Sequence, residues 1–366
     1  MLSIWKDKAA NPDRLETIDI TWMNLIIWEG ERMTAVPKIA IVGCGAISAS
    51  YYLPTLREYG DVWKRLILVE TNEERRRWIS DEFGISGLTQ DYHETLDKVD
   101  GVIIATPHYS HHPIAMDFLR QGVHVLCEKP LAVTAPDAKE MVAQAEKSGV
   151  TLSVNNFKRL FPSFIAVKRL ISDGSIGNLR SITYYEGHEF HGWPTASGFY
   201  FDKQRSPKGA LLDLGAHALD AVCWWMGKPD LVSCRTDSFG GPEACASVKF
   251  RLKSCVGEVR LSWLANLQDL YTIQGDGGNI CGGTRDSRSL TAKFGSAQPR
   301  LIEADQTTDS SKATDEMIDN FLSVILEKAE PLIPAREVIE SLELIDECYD
   351  AAERFSMPWT DNVECI

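Results

Sequence analysis

Residues Ile39-Ala-Ile-Val-Gly-Cys-Gly-Ala-Ile-Ser48 place a short, wholly apolar run directly before two glycines one residue apart. Such a run reads as a strand buried on both faces, and the residues after it are patterned as a helix. A strand that turns through Gly-x-Gly into a helix is the local geometry of a dinucleotide fingerprint. Gly43 can take the tight turn and Gly45 lets a pyrophosphate approach the backbone. The free N–H groups of the helix start, at Ala46 and Ile47, face that anion. Ser48 replaces the fingerprint's third glycine and is small enough to keep helix and strand close. Gly43, Gly45, Ala46 and Ile47 are therefore candidate cofactor-binding residues. The plain alternative is a glycine-rich βα turn that holds no ligand.

Glu70 ends the next apolar run, 25 residues past Gly45, where an acid can accept hydrogen bonds from an adenosine ribose. A carboxylate there repels a 2′-phosphate, which favours NAD and leaves NADP as the alternative. Arg75, Arg76 and Arg77 could turn toward such a phosphate; the simpler reading is a solvated helix face paired with Glu73 and Glu74.

From Lys38 onward, short apolar runs alternate with amphipathic ones, the pattern of βαβ units around a parallel sheet. Strands are expected at Lys38 to Val42, Arg65 to Glu70, weakly at Gly87 to Thr89, then at Gly101 to Ala105, His124 to Cys127 and Thr151 to Val154. Helices are expected at Asn72 to Phe83 and Ala135 to Ser148. After Pro162 the texture changes to a helix, Ser163 to Ser172, and to period-two runs at Arg180 to Tyr185, Ala246 to Leu252 and Gly257 to Trp263. Helices are expected at Ala210 to Met226, Lys312 to Leu326 and Ala335 to Phe355. The fold class is α/β: an N-terminal Rossmann doubly wound sheet plus a C-terminal α+β unit with a large open, mainly antiparallel sheet. The expected divisions are 1–36, an extension of unknown role; 37–158, the NAD(P)-binding domain; and 159–366, the substrate-binding and oligomerisation domain, whose last helices can pack back on the first. For 1–36 two readings stand, translation from Met33 or an extension on a subunit surface.

The chain has 366 residues and a net charge of −14, a field that repels phosphate backbones and anionic lipids. Nucleic acid and membrane surfaces are therefore poor partners. Nine scattered cysteines without a C-x-x-C pair suit reduced thiols in the cytoplasm.

Three further motifs follow the glycine turn in order: Ala105-Thr-Pro-His-Tyr-Ser-His111, Cys127-Glu-Lys-Pro130 and Lys208-Gly-Ala-Leu-Leu-Asp-Leu-Gly-Ala-His-Ala-Leu-Asp220. Together they resemble the glucose-fructose oxidoreductase, inositol dehydrogenase and MocA-like family, over about Pro37 to Asp361. The resemblance implies a nicotinamide cofactor across the carboxyl ends of the first-domain strands, with substrate between it and the second sheet. It implies that Lys129, Asp213 and His217 are the catalytic lysine, acid and histidine. It further implies that Thr106, Pro107 and His111 line the cofactor and that Glu128 stands beside its ribose or amide. Arg159-Leu-Phe-Pro162 is similar to the family's R-x-x-P element, and Asn155 or Asn156 upstream approaches the nicotinamide. Lys208 departs from the family, standing where a run of glycines usually begins, which leaves the shape of the substrate-side loop in question.

The residue types fit hydride transfer at a secondary alcohol, where a base and an electrophile must share one oxygen. His217 is a natural proton carrier and Lys129 can hydrogen-bond the oxygen as charge develops. Asp213, four residues before His217, projects from the same face of a helix and can orient the imidazole or bind a neighbouring hydroxyl. Taken singly, each has a plain reading as a solvated charge, a helix cap or a core histidine.

In Gly187-His-Glu-Phe-His-Gly-Trp-Pro194, Trp193 could stack on a sugar ring and His191 bind its hydroxyls. Loop packing onto the sheet is the equal alternative. A metal held by His188, His191, Asp213 and His217 is weighed and set aside. Candidate substrate-binding residues are Lys129, Arg159, His191, Trp193, Asp213 and His217. The expectation is an NAD(P)-dependent dehydrogenase or ketoreductase for a sugar, nucleotide sugar or cyclitol, assembled as a homodimer or homotetramer through the second sheet. The alternatives are a non-catalytic cofactor-binding sensor and a redox-assisted glycoside-cleaving or eliminating enzyme.

Overall fold

Strands that are apolar on both faces have none to offer water, and the first half of the chain places such strands, Ile39–Val42 and Gly101–Ile104 foremost, in a sheet covered by helices on both sides. The computed structural model describes residues 36–189, 198–238, 240–303 and 310–356. Strand β1 (Ile39–Val42) runs through the glycine turn and a π-helical turn, Ser48–Tyr52, into α1 (Leu53–Arg57) and α2 (Gly60–Trp63). There follow β2 (Ile67–Val69), α3 (Glu73–Phe83), β3 (Leu88–Thr89), β4 (Gly101–Ile104), α4 (His111–Arg120), β5 (His124–Cys127), α5 (Ala135–Ser148) and β6 (Leu152–Val154). All six strands pair in parallel, in the order β3-β2-β1-β4-β5-β6. The direction of winding reverses between β1 and β4, which opens a crevice at their carboxyl ends.

Local chemistry fixes the helix ends. The Asn72 side chain accepts from Arg75 N at 2.8 Å to start α3, and Gly84 ends it with φ +68°. Thr134 caps α5, with Pro136 in the first turn, and Gly149 closes it at φ +67°.

The second half begins with α6 (Pro162–Ser172) and β7 (Leu179–Gly187), then α7 (Ala210–Asp213) and α8 (Gly215–Met226). Strands β8 (Asp230–Thr236), β9 (Cys245–Leu252), β10 (Cys255–Ser262), β11 (Leu270–Gly275), β12 (Gly278–Gly283), β13 (Ser289–Phe294) and β14 (Arg300–Glu303) follow. Helices α9 (Ser310–Ile325) and α10 (Ile339–Asp350) precede the last strand, β15 (Ala352–Arg354). The nine strands form one sheet, β14-β13-β12-β11-β7-β10-β9-β8-β15, antiparallel except at β7–β10 and β8–β15.

Two expected helices are corrected. Ala210 to Met226 is interrupted at Leu214, which separates a one-turn helix ending at Asp213 from the longer one carrying His217. Ala335 to Phe355 resolves into a 3-10 turn, α10 and β15, because Ala352, Glu353 and Arg354 pair with the open edge of β8 instead of extending the helix. Helix α9 returns to the first sheet. A Cβ at Gly101 would lie 2.5 Å from Ile325 Cδ1 and 3.1 Å from Phe321 Cζ, so that glycine is what lets α9 dock. Tyr59 also donates to Asp319 at 3.1 Å across this contact. Among the described residues no helix is long and apolar enough to cross a membrane.

Candidate functional site

Register places the site. Val42 pairs with Ile104, Ile104 with Cys127 and Cys127 with Val154, so Gly43, Ala105, Glu128 and Asn155 emerge side by side at the carboxyl edge. Gly43 has φ +95°, and a Cβ there would lie 2.5 Å from the Ala105 carbonyl oxygen. A Cβ at Gly45 would meet nothing within 4 Å, so open space lies in front of the turn. This is a cradle that a side chain would fill, and it fits a pyrophosphate-bearing cofactor. The Glu70 carboxylate accepts from Cys44 N at 3.1 Å and Asn72 N at 2.9 Å. Only Arg77 pairs with an acid of its own helix, Glu73. Arg75 instead donates to the Cys44 and Gly45 carbonyls at 2.6 and 3.1 Å, with its guanidinium 4.0 Å above the Trp78 ring centre. Arg76 donates to the Thr71 carbonyl at 2.8 Å.

The loop after β4 packs under this crevice. Thr106 Oγ1 accepts from Ser110, and Pro107 precedes a 3-10 turn at His108–Ser110. His111 is fully buried, with Nδ1 2.8 Å from the Pro130 carbonyl and Nε2 2.9 Å from that of Thr106. It serves as a strut between the two loops and has no surface to offer a ligand. Glu128 is also buried. It accepts from Tyr52 at 2.6 Å, from Asn155 Nδ2 at 2.9 Å and from Lys129 N at 3.2 Å. Burial raises its pKa, against the pull of the Tyr52 and Asn155 hydrogen bonds.

Two elements far apart in sequence then meet. Lys129 Nζ lies 2.7 Å from Asp213 Oδ1 and donates to the Asp213 carbonyl at 3.2 Å. Burial alone would raise the Asp213 pKa, yet the Lys129 ammonium, His108 and hydrogen bonds from Lys129 and Trp263 hold it below its ordinary value. His217 sits beside them, edge-on to Phe157 at 5.1 Å, with its Nδ1 buried and without a hydrogen-bond partner among the described residues. Burial first, then the ammonium groups of Lys129 and Lys158, push its pKa well below the usual histidine value. It is therefore a neutral imidazole, able to accept a proton. Asp213, for its part, grips the lysine, not the imidazole.

Sequence reasoning missed several neighbours. His108 is buried among Phe199, Tyr200 and His111, and burial lowers its pKa to about 3 despite the nearby Asp213. Lys158 is held at 2.8 and 2.7 Å by both oxygens of Glu186, which also accepts from Tyr184 at 3.0 Å. Arg285 reaches Asp269 at 3.1 Å and His188 at the rim. The R-x-x-P element signalled this region but pointed at the wrong residue. Arg159 is 5% exposed and spent on Asp220, at 2.9 and 2.7 Å, and Glu337, at 2.9 Å, so it is a buried tie and not a substrate ligand. Asn156 is buried and donates to the Ala216 carbonyl at 3.2 Å, its Oδ1 left without a partner among the described residues. His191 and Trp193 lie outside the described residues.

Comparison with known proteins places this geometry. Residues 37–156 match the oxidoreductase family with an NAD-binding Rossmann fold, and residues 164–281 match the GFO/IDH/MocA C-terminal domain. Scyllo-inositol 2-dehydrogenase (NADP(+)) of Bacillus subtilis is 27% identical over 209 residues, 57% of each chain. D-apiose dehydrogenase of Paraburkholderia graminis is 32% identical over 195 residues, 52% of this chain and 50% of the relative. The chain thus spans about half the length of the curated relatives it matches. A levoglucosan dehydrogenase solved with NADH and levoglucosan superposes with TM-score 0.76 at 20% identity, covering 87% of this chain and 97% of that one. An aldose-aldose oxidoreductase from Caulobacter crescentus gives 0.74 at 22% identity, over 87% and 97%. With both family domains matched in order, the chain belongs to the GFO/IDH/MocA oxidoreductase family, whose NAD-binding Rossmann fold forms its first sheet.

Proposed function

We propose that this chain is an NAD(P)-dependent oxidoreductase that moves a hydride between a nicotinamide and a secondary hydroxyl or ketone of a sugar, nucleotide sugar or cyclitol. The observation that carries the reading is the 2.7 Å contact of Lys129 with Asp213, beside a buried neutral His217, at the same strand edge as the glycine cradle. In this reading residues 37–158 hold the cofactor and 159–366 supply the substrate side.

The bound nicotinamide supplies the hydride acceptor or donor. Gly43, Gly45, Ala46 and Ile47 hold the pyrophosphate, and Glu70 receives the adenosine ribose, which favours NAD over NADP. Thr106, Pro107, Glu128 and Asn156 form the wall toward the ring. In alcohol oxidation the neutral imidazole of His217 takes the hydroxyl proton, and Lys129 donates a hydrogen bond to the same oxygen as its charge grows. Asp213 keeps Lys129 aimed. In ketone reduction the proton returns from His217 to the oxygen. His191 and Trp193 remain candidates for the sugar face, and the names of the relatives support a polyol substrate.

The open face of the second sheet, with Val232, Val256 and Leu264 exposed, is the proposed contact of a homodimer or homotetramer. The scatter of nine cysteines without a C-x-x-C pair supports a reducing cytoplasm.

The test mixes the protein with NAD or NADP and a panel of sugars and cyclitols, following reduced-nicotinamide absorbance and product mass together. Net reduction of cofactor with a product two hydrogens lighter is the expected result. Cleaved product without net cofactor turnover, or cofactor binding with no product at all, would overturn it in favour of redox-assisted cleavage or of a sensor.

A further inference from the structure

Lys208 stands where the resemblance implies a run of glycines, and its ammonium is spent within the protein. It donates to the Val133 carbonyl at 2.7 Å and pairs with Asp346 Oδ1 at 2.8 Å, lying 4.6 Å from the Tyr349 ring centre. The other oxygen of Asp346 accepts from Ala135 N at 2.7 Å. One carboxylate on α10 thus binds both Lys208 and the start of α5, and fixes the loop that runs from Lys129 to Thr134.

The same helix reaches α7 by a second route. Tyr349 accepts from Leu212 N at 3.1 Å and donates to Glu243 Oε1 at 2.8 Å. Glu243 is 1% exposed. Its carboxylate accepts from Gly209 N at 3.1 Å and Leu211 N at 2.8 Å, and its own carbonyl accepts from Ala210 N at 2.8 Å. Three of the free N–H groups at the start of α7 are spent on this one residue. A Cβ at Gly209 would lie 2.0 Å from the Glu243 carbonyl oxygen, so the approach is as close as a backbone allows. Asp213 is the last residue of that one-turn helix, so its height is set at the Glu243 end.

We infer that Lys208 and Glu243 are positioning residues for the proposed reaction, holding the Lys129 loop and the Asp213 helix at a fixed separation from a common anchor on α10. Neither touches the reacting atoms. Both act through the Lys129–Asp213 contact. The inference rests on the proposed function for its kinetic consequence but not for its structural one.

The test compares Lys208→Met, Lys208→Arg and Glu243→Gln with the unaltered protein. In Lys208→Met the expected kcat loss is about tenfold, with KM and the Kd for reduced cofactor within about twofold, since a sub-ångström misplacement is felt in the chemical step. Lys208→Arg restores most of it. Asp213 is faced by Lys129, His108, His188, Tyr200 and the Trp263 indole. Loosening its lysine moves the acid limb of the kcat profile to higher pH, which a merely destabilised protein would not show. Hydrogen exchange gives a readout that needs no turnover. Amides of 209–214 exchange faster in Lys208→Met and Glu243→Gln, while those of β1 do not change.

Unchanged kcat, acid limb and 209–214 exchange in folded Lys208→Met would overturn the inference, as would a loss that Lys208→Arg fails to restore. Lys129→Ala separates the two readings. Full turnover in that variant sinks the proposed function, whereas dead Lys129→Ala beside unaltered Lys208→Met sinks the positioning role alone.

Discussion

Replacing Lys129 by Met keeps most of the aliphatic stem and removes the charge that faces Asp213. The two side chains are 17% and 11% exposed, so water screens the pair only in part. Removing one partner of a buried pair costs roughly 3–5 kcal/mol, and this residual exposure points to the lower end, about 3 kcal/mol. The cost depends on pH in a defined direction. In the unaltered protein the Asp213 pKa lies below its ordinary value, so its contribution is present above the unfolded carboxylate range and lost as pH falls through the depressed value. Without Lys129, burial dominates and the folded pKa rises above the unfolded one. The penalty is then full at high pH and relieved on acidification. Urea unfolding of both proteins from about pH 5 to about pH 8 should show a stability gap that widens with pH. Turnover on the true substrate should fall by about 10²- to 10³-fold, the loss typical of one oxyanion donor. A gap of constant size across this range, or turnover within about threefold of the original, would refute the reasoning.

His108 and His217 are both held neutral by burial, so the unfolded chain takes up protons below about pH 6.5 that the folded one refuses. Stability should fall on acidification by up to about 2.7 kcal/mol per pH unit for the two together, and their ring proton resonances should stay flat where an ordinary histidine titrates. A midpoint near 6.5 for His217 would contradict its buried neutral state. Glu70→Ala removes the acceptor for Cys44 N and Asn72 N, and the ratio of NAD to NADP affinity in fluorescence titration should shift toward NADP by about tenfold. Arg159→Met should cost about 3–5 kcal/mol in denaturant while leaving KM for the polyol unchanged, because its partners Asp220 and Glu337 are structural. A raised KM with intact stability would return Arg159 to the substrate site.

The first sheet was readable because its parallel strands are mostly apolar runs and the glycine turn announces where the first one ends. The helices were readable from apolar residues at helical spacing, and in the structure caps set their ends: Asn72 and Thr134 start α3 and α5, and Gly84 and Gly149 close them. The second sheet was legible only as alternation. Its order, with β7 between β10 and β11, depends on pairings between distant segments that no local pattern records. Ala352–Arg354 shows the same limit from the other side, since alanine and glutamate favour helix and only the open edge of β8 makes them a strand.

At the site, motif order singled out Lys129, Asp213 and His217 as candidates, but not what each would touch. Whether Asp213 would grip the histidine or the lysine depended on the break at Leu214 and on the loop after Lys129. Lys158 and Arg159 are neighbours in sequence, and only the fold shows that the ammonium of the first bears on His217 while the second lies buried against Asp220. Glu186 and His188 stand two residues apart at the end of β7, but Arg285 comes from the segment after β12, and only the fold brings it to them.

The most direct measurement is a crystal structure with cofactor and a turned-over polyol bound. The expected result is one hydroxyl oxygen within hydrogen-bond reach of both Lys129 Nζ and the His217 ring, with the pyrophosphate on the Gly43–Ser48 turn. A polyol seated away from either group, or a cofactor that leaves that turn bare, would contradict the assignment.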